Sequence, residues 1–167
     1  YAVAHGLAVY AARLPLDARP VCGNSAQLCK LLGVGHKKPA FGYHGNDIGF
    51  VGTLARPMSF EAFCGLVRER ISPTAQALAF GKKTVRTIGV VSGGACEMLD
   101  QAVALGCDAY LTGEPGLIGY TLAENLGANA LFAGHYATET WGVKALGKLI
   151  AGKFKLPVAE IDFKIGY

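Results

Sequence analysis

From Thr84 onward the chain alternates short apolar runs with longer amphipathic stretches. Val85–Val91 (VRTIGVV), Ala109–Thr112 and Asn129–Ala133 have the length and apolar content of buried strands. Between them lie Glu97–Leu105, closed by Gly106, and Gly116–Asn125, closed by Gly127; both have helical length and a glycine stop. His135–Ala151 predicts a long helix, and Val158–Ile161 a final strand. Strands separated by helices of this size imply crossover connections. The pattern therefore predicts an α/β fold with a mixed, largely parallel sheet and flanking helices.

The first half is less regular. Leu7–Ala12 (LAVYAA) reads as a buried strand that stops at Leu14-Pro15-Leu16-Asp17, where proline removes a ladder donor. Asn24–Leu32 carries Leu28, Leu31 and Leu32 at helical spacing, with Asn24 or Ser25 as N-cap and Gly33 as stop. Gly35–Asp47, with His44 in its glycine-rich part, reads as a surface loop. Ile48–Thr53 reads as a strand and Ser59–Arg68 as a helix capped by Ser59, with Glu61 in its first turn. Pro73–Lys83 connects, and Ser92-Gly93-Gly94 makes a tight turn. Neither a repeat of solenoid period nor a linker divides the chain, so residues 1–167 are expected to form one unit.

Composition agrees with a folded core. The chain is 51% hydrophobic and 17% charged, which opposes disorder, and many of its 23 glycines end apolar runs. Ala128–Ala133 is typical of its longest apolar stretches, far short of the roughly 18–20 residues of a membrane span. The net charge of +4 is spread over small groups such as Lys37-Lys38, Lys82-Lys83, Lys153 and Lys155. With Phe154, between Lys153 and Lys155, the one aromatic residue interleaved in those groups, that pattern disfavours a nucleic-acid partner. Five cysteines without short paired spacing oppose a disulfide framework and a zinc ribbon, and point to reduced thiols in the cytoplasm.

The segment Gly134-His135-Tyr136-Ala137-Thr138-Glu139 follows an apolar strand and opens a helix. His135 and Glu139 are then i,i+4 neighbours, with Cβ atoms about 5–6 Å apart. An imidazole and a carboxylate so placed can ligate one metal ion, or two with the carboxylate bridging. Val143, Leu146 and Ile150 continue the same side as an apolar stripe, so both residues are expected on the buried face. An inward carboxylate is costly unless paired, hydrogen-bonded or metal-bound. The spacing equally suits a first-turn histidine and a glutamate that balances the helix dipole. Asp17, expected just past a strand end, is either a ligand or a turn residue. Ser92-Gly93-Gly94 could cradle an anion, although it lacks a phosphate-loop pattern.

Four stretches in order carry a resemblance: Leu7–Leu32 with its LPLD and GNSAQL, Val85–Gly94, Asp108–Glu114 (DAYLTGE), and Gly134–Glu139 (GHYATE). Together they resemble the Nif-three-like family, homologues of GTP cyclohydrolase 1 type 2, with this chain covering the C-terminal two-thirds of the family domain. The resemblance implies a dinuclear site of divalent ions (Fe, Mn or Zn) ligated by Asp17, His135 and bridging Glu139. Arg13 and Glu114 are candidate neighbours of that site from their own positions, with helix capping the alternative for Glu114 in the turn after Ala109–Thr112. It also implies a metal-dependent hydrolase acting on a nucleotide or similar heterocycle, and assembly into a toroidal homohexamer. Two departures bear on this. Arg13 and Arg19 stand where the family has histidines, and arginine cannot bind a metal ion. The histidines are His5, His36, His44 and His135, so the family's upstream His-His pair has no counterpart, as expected of a chain shortened at its N-terminus. Arg13 could instead pair with Asp17 or grip a phosphate. A non-enzymatic oligomeric scaffold or regulatory binding protein is the alternative reading.

Overall fold

A computed structural model describes residues 1–163 and 165. One six-stranded sheet runs through it in the order β1-β2-β4-β5-β6-β3. Its strands are β1 (Val34–Tyr43), β2 (Asn46–Ser59), β3 (Gln76–Ala79), β4 (Thr84–Val90), β5 (Ala109–Thr112) and β6 (Asn129–Phe132). The helices are α1 (Leu14–Asp17, a single turn), α2 (Asn24–Leu31), α3 (Phe60–Arg70), α4 (Leu99–Ala104), α5 (Gly119–Leu126) and α6 (His135–Phe154).

The α/β class and the mixed sheet are as expected, but the parallel majority is not. Only β4–β5 and β5–β6 pair in parallel, whereas β1–β2, β2–β4 and β3–β6 are antiparallel. The parallel centre is where crossovers through α4 and α5 dictate direction. There the apolar runs alternate between two cores. Ala109, Leu111 and Leu131 face Leu28, Phe63, Val67 and Trp141, from α2, α3 and α6. Tyr110, Ala130 and Phe132 face Leu99, Ala102 and Ala123, from α4 and α5. Each fully buried Leu, Val or Phe among them contributes about 1.5–3 kcal/mol relative to exposure.

Gly35–Asp47, expected as a loop, is most of β1 and its hairpin turn. Pro39, Lys37 and Lys38 hid it, yet these are residues an edge strand tolerates, because one side of its ladder stays unpaired. His44 (φ 48°) and Gly45 (φ 79°) form a two-residue turn with both φ positive, the hairpin geometry that matches strand twist. His44 is exposed there, as expected. Pro73–Lys83 contains the second edge strand, β3. In contrast, Leu7–Ala12 is not a strand: Val9 and Tyr10 are 81% and 88% exposed. Val158–Ile161 is likewise irregular. Apolar content makes a strand only where a sheet edge pairs it, and neither segment meets one. Asp17 accordingly lies in the helical turn α1 and not at a strand end. Glu97–Leu105 divides into a 3₁₀ turn (Cys96–Met98) and α4. Ser59 caps α3 as expected, accepting from Ala62 N at 3.1 Å. The N-cap of α2 is Gly23, which leaves Asn24 and Ser25 free for other bonds.

Candidate metal centre

Three adjacent parallel strands end side by side, and their following turns build the site. After β4 comes Ser92-Gly93-Gly94, after β5 Gly113-Glu114, and after β6 Gly134-His135. The turns prolong the ladder: Gly113 N donates to Gly93 O at 2.7 Å, and Gly134 N donates to Gly113 O at 2.8 Å. Thr138, on the first turn of α6, locks them together. Its fully buried hydroxyl accepts from Gly93 N at 3.0 Å and lies 2.9 Å from the carbonyls of Gly134 and His135, to which it donates. Gly93 has φ +72°, and a Cβ there would run into a carboxylate oxygen of Glu139. The positive φ favours glycine at this position, and the missing Cβ leaves room for the Glu139 carboxylate.

Asp17 comes from the other half of the chain. Its Oδ1 accepts from Asn24 Nδ2 at 2.7 Å and from Ser92 Oγ at 3.4 Å. Asn24 Oδ1 in turn accepts from Gly142 N at 2.6 Å, tying α1 and α2 to the middle of α6. Ser25 Oγ accepts from Ser92 N at 3.1 Å and donates to Ile48 O at 3.2 Å. Asn24, Ser25, Ser92 and Thr138 are thus a buried polar bed under the site. The sequence reads the first two as caps and Ser92 as part of an anion-binding turn, and it assigns Thr138 no part in the site.

Asp17, His135 and Glu139 line one cleft of about 370 Å³, together with Arg13. His135 lies between two carboxylates: Nδ1 is 2.7 Å from Glu114 Oε1, and Nε2 is 3.3 Å from Glu139 Oε2. Burial holds the Glu139 carboxyl above its ordinary value; His135 and Arg13 pull it down, while the Asp17 carboxylate pushes it up. Among the described residues, no three His, Cys, Asp or Glu side chains are grouped so as to hold an ion. The donor chemistry nonetheless fits one. A neutral imidazole has a single N–H, so it satisfies Glu114 or Glu139 but not both, and only an imidazolium satisfies the two together. A cation between Nε2 and Glu139 would remove that conflict and the Asp17–Glu139 repulsion, with Nδ1–H kept on Glu114 as metal-binding histidines usually keep it. An imidazole and two carboxylates suit Zn, Mn or Fe, while a second ion needs more donors than these three.

Other expectations change. Val143 and Ile150 are 59% and 37% exposed, so the His135–Glu139 side of α6 is not its buried face; Thr138 and Gly142 are the buried positions. Arg13 forms no ion pair with Asp17 among the described residues. The Ser92-Gly93-Gly94 turn offers no open anion cradle, because the Ser92 and Gly93 amides are bonded to Ser25 and Thr138. Asp108 of the DAYLTGE stretch is structural. Burial raises its carboxyl, but Lys82 and the Thr87 and Arg86 amides outweigh that and hold it below its ordinary value, pinning β5 to β4. Burial pushes the Cys29 and Cys107 thiols up to about 12, which removes them as nucleophiles.

Fold and site together define a mixed-sheet α/β protein with a histidine–carboxylate cleft at the C-terminal ends of parallel strands. The chain belongs to the Duf34/NIF3 (NGG1p interacting factor 3) family, whose profile matches residues 1–165. It is 38% identical over 162 residues to the GTP cyclohydrolase 1 type 2 homolog of Pyrococcus horikoshii, covering 96% of this chain and 64% of that protein. Identity to the protein of the same name in Deinococcus radiodurans is 33% over 165 residues, covering 99% of this chain and 63% of that one. A solved structure described as protein ybgI, of unknown function, superposes with a TM-score of 0.89 at 29% identity, covering 97% of this chain and 64% of that chain. This chain therefore spans just under two-thirds of the length of each. The resemblance read from the LPLD, TGE and GHYATE stretches is borne out. Among the described residues, no helix is long and apolar enough to cross a membrane.

Proposed function

We propose that this chain carries part of a metal-dependent hydrolase acting on a nucleotide or a similar heterocycle, with Asp17, His135 and Glu139 as ligands of a divalent ion. The observation that carries the reading is the position of His135, one ring nitrogen on Glu114 at 2.7 Å and the other facing Glu139 at 3.3 Å in a cleft that also holds Asp17. Glu114 accepts Nδ1–H and so fixes the ring with Nε2 toward the cleft. Asn24 and Ser92 hold the Asp17 carboxylate from behind. When bound, a divalent ion supplies hydroxide near neutral pH by acidifying water. The name borne by the relatives supports a purine nucleotide as the substrate class. A second ion bridged by Glu139, a toroidal homohexamer and a cytoplasmic setting belong to the same proposal, the last supported by five free cysteines.

The test is metal content by mass spectrometry on the full-length protein, purified without chelator, beside His135→Ala and Glu139→Ala. Near-stoichiometric Fe, Mn or Zn lost in both variants, with metal-dependent turnover of GTP, is the expected result. A wild type that stays metal-free after reloading overturns the reading. One observation favours a second reading: Arg13 lines the cleft and brings a fixed positive charge beside the ligands. A protein that binds no metal yet forms a stable oligomer would be the signature of a scaffold.

A further inference from the structure

The geometry points to a two-part substrate site straddling His135 and Glu139, in which a groove between α6 and the C-terminal segment takes a flat heterocycle and the Arg13 cleft takes the anionic end. The substrate class rests on the hydrolase reading above; the assignment of its two ends does not. The groove encloses about 630 Å³, within the range of small-molecule sites. Its inner end is formed by Glu114, His135 and Glu139, so it shares a wall with the cleft. Its sides are apolar: Val143 on α6 faces Val158, Ile161 and Phe163 of the C-terminal segment. These side chains stay 59%, 46%, 77% and 63% exposed, far more than core residues, and an aromatic ring laid between them would cover them.

The C-terminal wall is pinned in place. Asp162 accepts from the Tyr136 hydroxyl and from Lys144 Nζ, the latter at 3.3 Å, and Phe163 N donates to Tyr136 Oη at 2.9 Å. Val158 seats on Gly147, where an added Cβ would lie 3.1 Å from Val158 Cγ1. The same contacts engage Lys144, the one lysine or arginine among the described residues lining the groove, with Asp162. An anionic group there would face Glu114, Glu139 and Glu160 without a free cation. The cleft on the far side of His135 and Glu139 holds Arg13, whose planar fork suits phosphate oxygens. Asp17, Glu97 and Glu139 share that cleft, so an anion is held there only when a divalent cation offsets them. The two ends of the substrate therefore differ in metal dependence: the heterocycle binds without metal and the phosphate end binds with it.

Calorimetric titration of the full-length protein with guanosine and with inorganic tripolyphosphate, each in chelator and in manganese, separates these ends. Guanosine is expected to bind in both conditions and to weaken about tenfold or more in Val143→Asp, where a carboxylate enters the apolar wall. Ile161→Asp, on the exposed segment outside the core, does the same and covers a folding defect in the helix variant. Tripolyphosphate is expected to need manganese, to weaken about tenfold in Arg13→Gln, and to be indifferent to Val143→Asp. Guanosine that does not bind the wild type, or binds both groove variants unchanged, overturns the inference. Loss of metal binding alone overturns the hydrolase reading and leaves the groove assignment standing.

Discussion

Replacing Thr138 by valine tests whether one hydroxyl ties the turn after β4 to the turn after β6. Valine keeps the branched shape and removes the oxygen. The buried Gly93 N–H, 3.0 Å from that oxygen, then loses its partner, which costs about 1–3 kcal/mol. The carbonyl of Gly134 stays satisfied, because Thr138 N–H already donates to it at 3.1 Å, so the orphaned Gly93 amide dominates the loss. The expected destabilisation is about 2 kcal/mol, or a Tm lower by about 4–8 °C for a chain of this size. Thr138→Ser supplies the contrast. It keeps the acceptor and loses one buried methyl, worth about 1 kcal/mol. Urea unfolding followed by circular dichroism gives the two energies, and amide exchange reports Gly93 directly. Faster Gly93 exchange in the valine variant but not in the serine variant is the expected pattern. A valine variant within about 0.5 kcal/mol of wild type, with Gly93 still protected, would refute the reasoning and move the lock to the backbone ladder.

Three further outcomes follow from the same geometry. Because burial holds the Glu139 carboxyl above its ordinary 4.5, folding favours its protonated form; that contribution is present below pH 4.5 and lost as pH rises through the folded value. In chelator, Glu139→Gln should thus be more stable than wild type at pH 7, with urea midpoints converging toward pH 4.5; a midpoint lower than wild type at pH 7 contradicts this. Gly93→Ala should cost about 1–2 kcal/mol from its positive φ, with the Glu139 carboxylate displaced by the new methyl. Thermal melts beside Gly94→Ala, which lacks a positive φ, check this, and equal losses would count against it. Glu114→Gln should weaken metal binding by the full-length protein about 10–100-fold in chelator competition, since it changes the partner of His135 Nδ1. Unchanged affinity would detach Glu114 from the site.

The arrangement explains why the candidate ligands are so far apart in sequence. His135 and Glu139 need only one helix turn, and Glu114 reaches them because β5 and β6 are parallel neighbours. Asp17 has no such route. It arrives through Asn24, whose side chain spans Asp17 and the Gly142 amide, so α2 must pack on α6 before the cleft exists. Disturbing that packing should therefore affect the site even where no ligand is touched.

What the sequence determined by itself is the part governed by local periodicity. Apolar runs bounded by glycine located β4, β5 and β6 to within a residue at either end, and the i,i+4 spacing paired His135 with Glu139, because strand and helix repeats are properties of the backbone. The LPLD, TGE and GHYATE stretches carried the family. Tertiary structure decided the rest. Whether Leu7–Ala12 or Val34–Tyr43 became a strand depended on finding a sheet edge, and the less apolar of the two found it. Which side of α6 is buried depended on the close approach of Asn24 to Gly142, and it turned Val143 toward the groove. The bond from Thr138 to Gly93 joins residues 45 positions apart, and hydrogen bonds at that range leave no periodic trace in a chain.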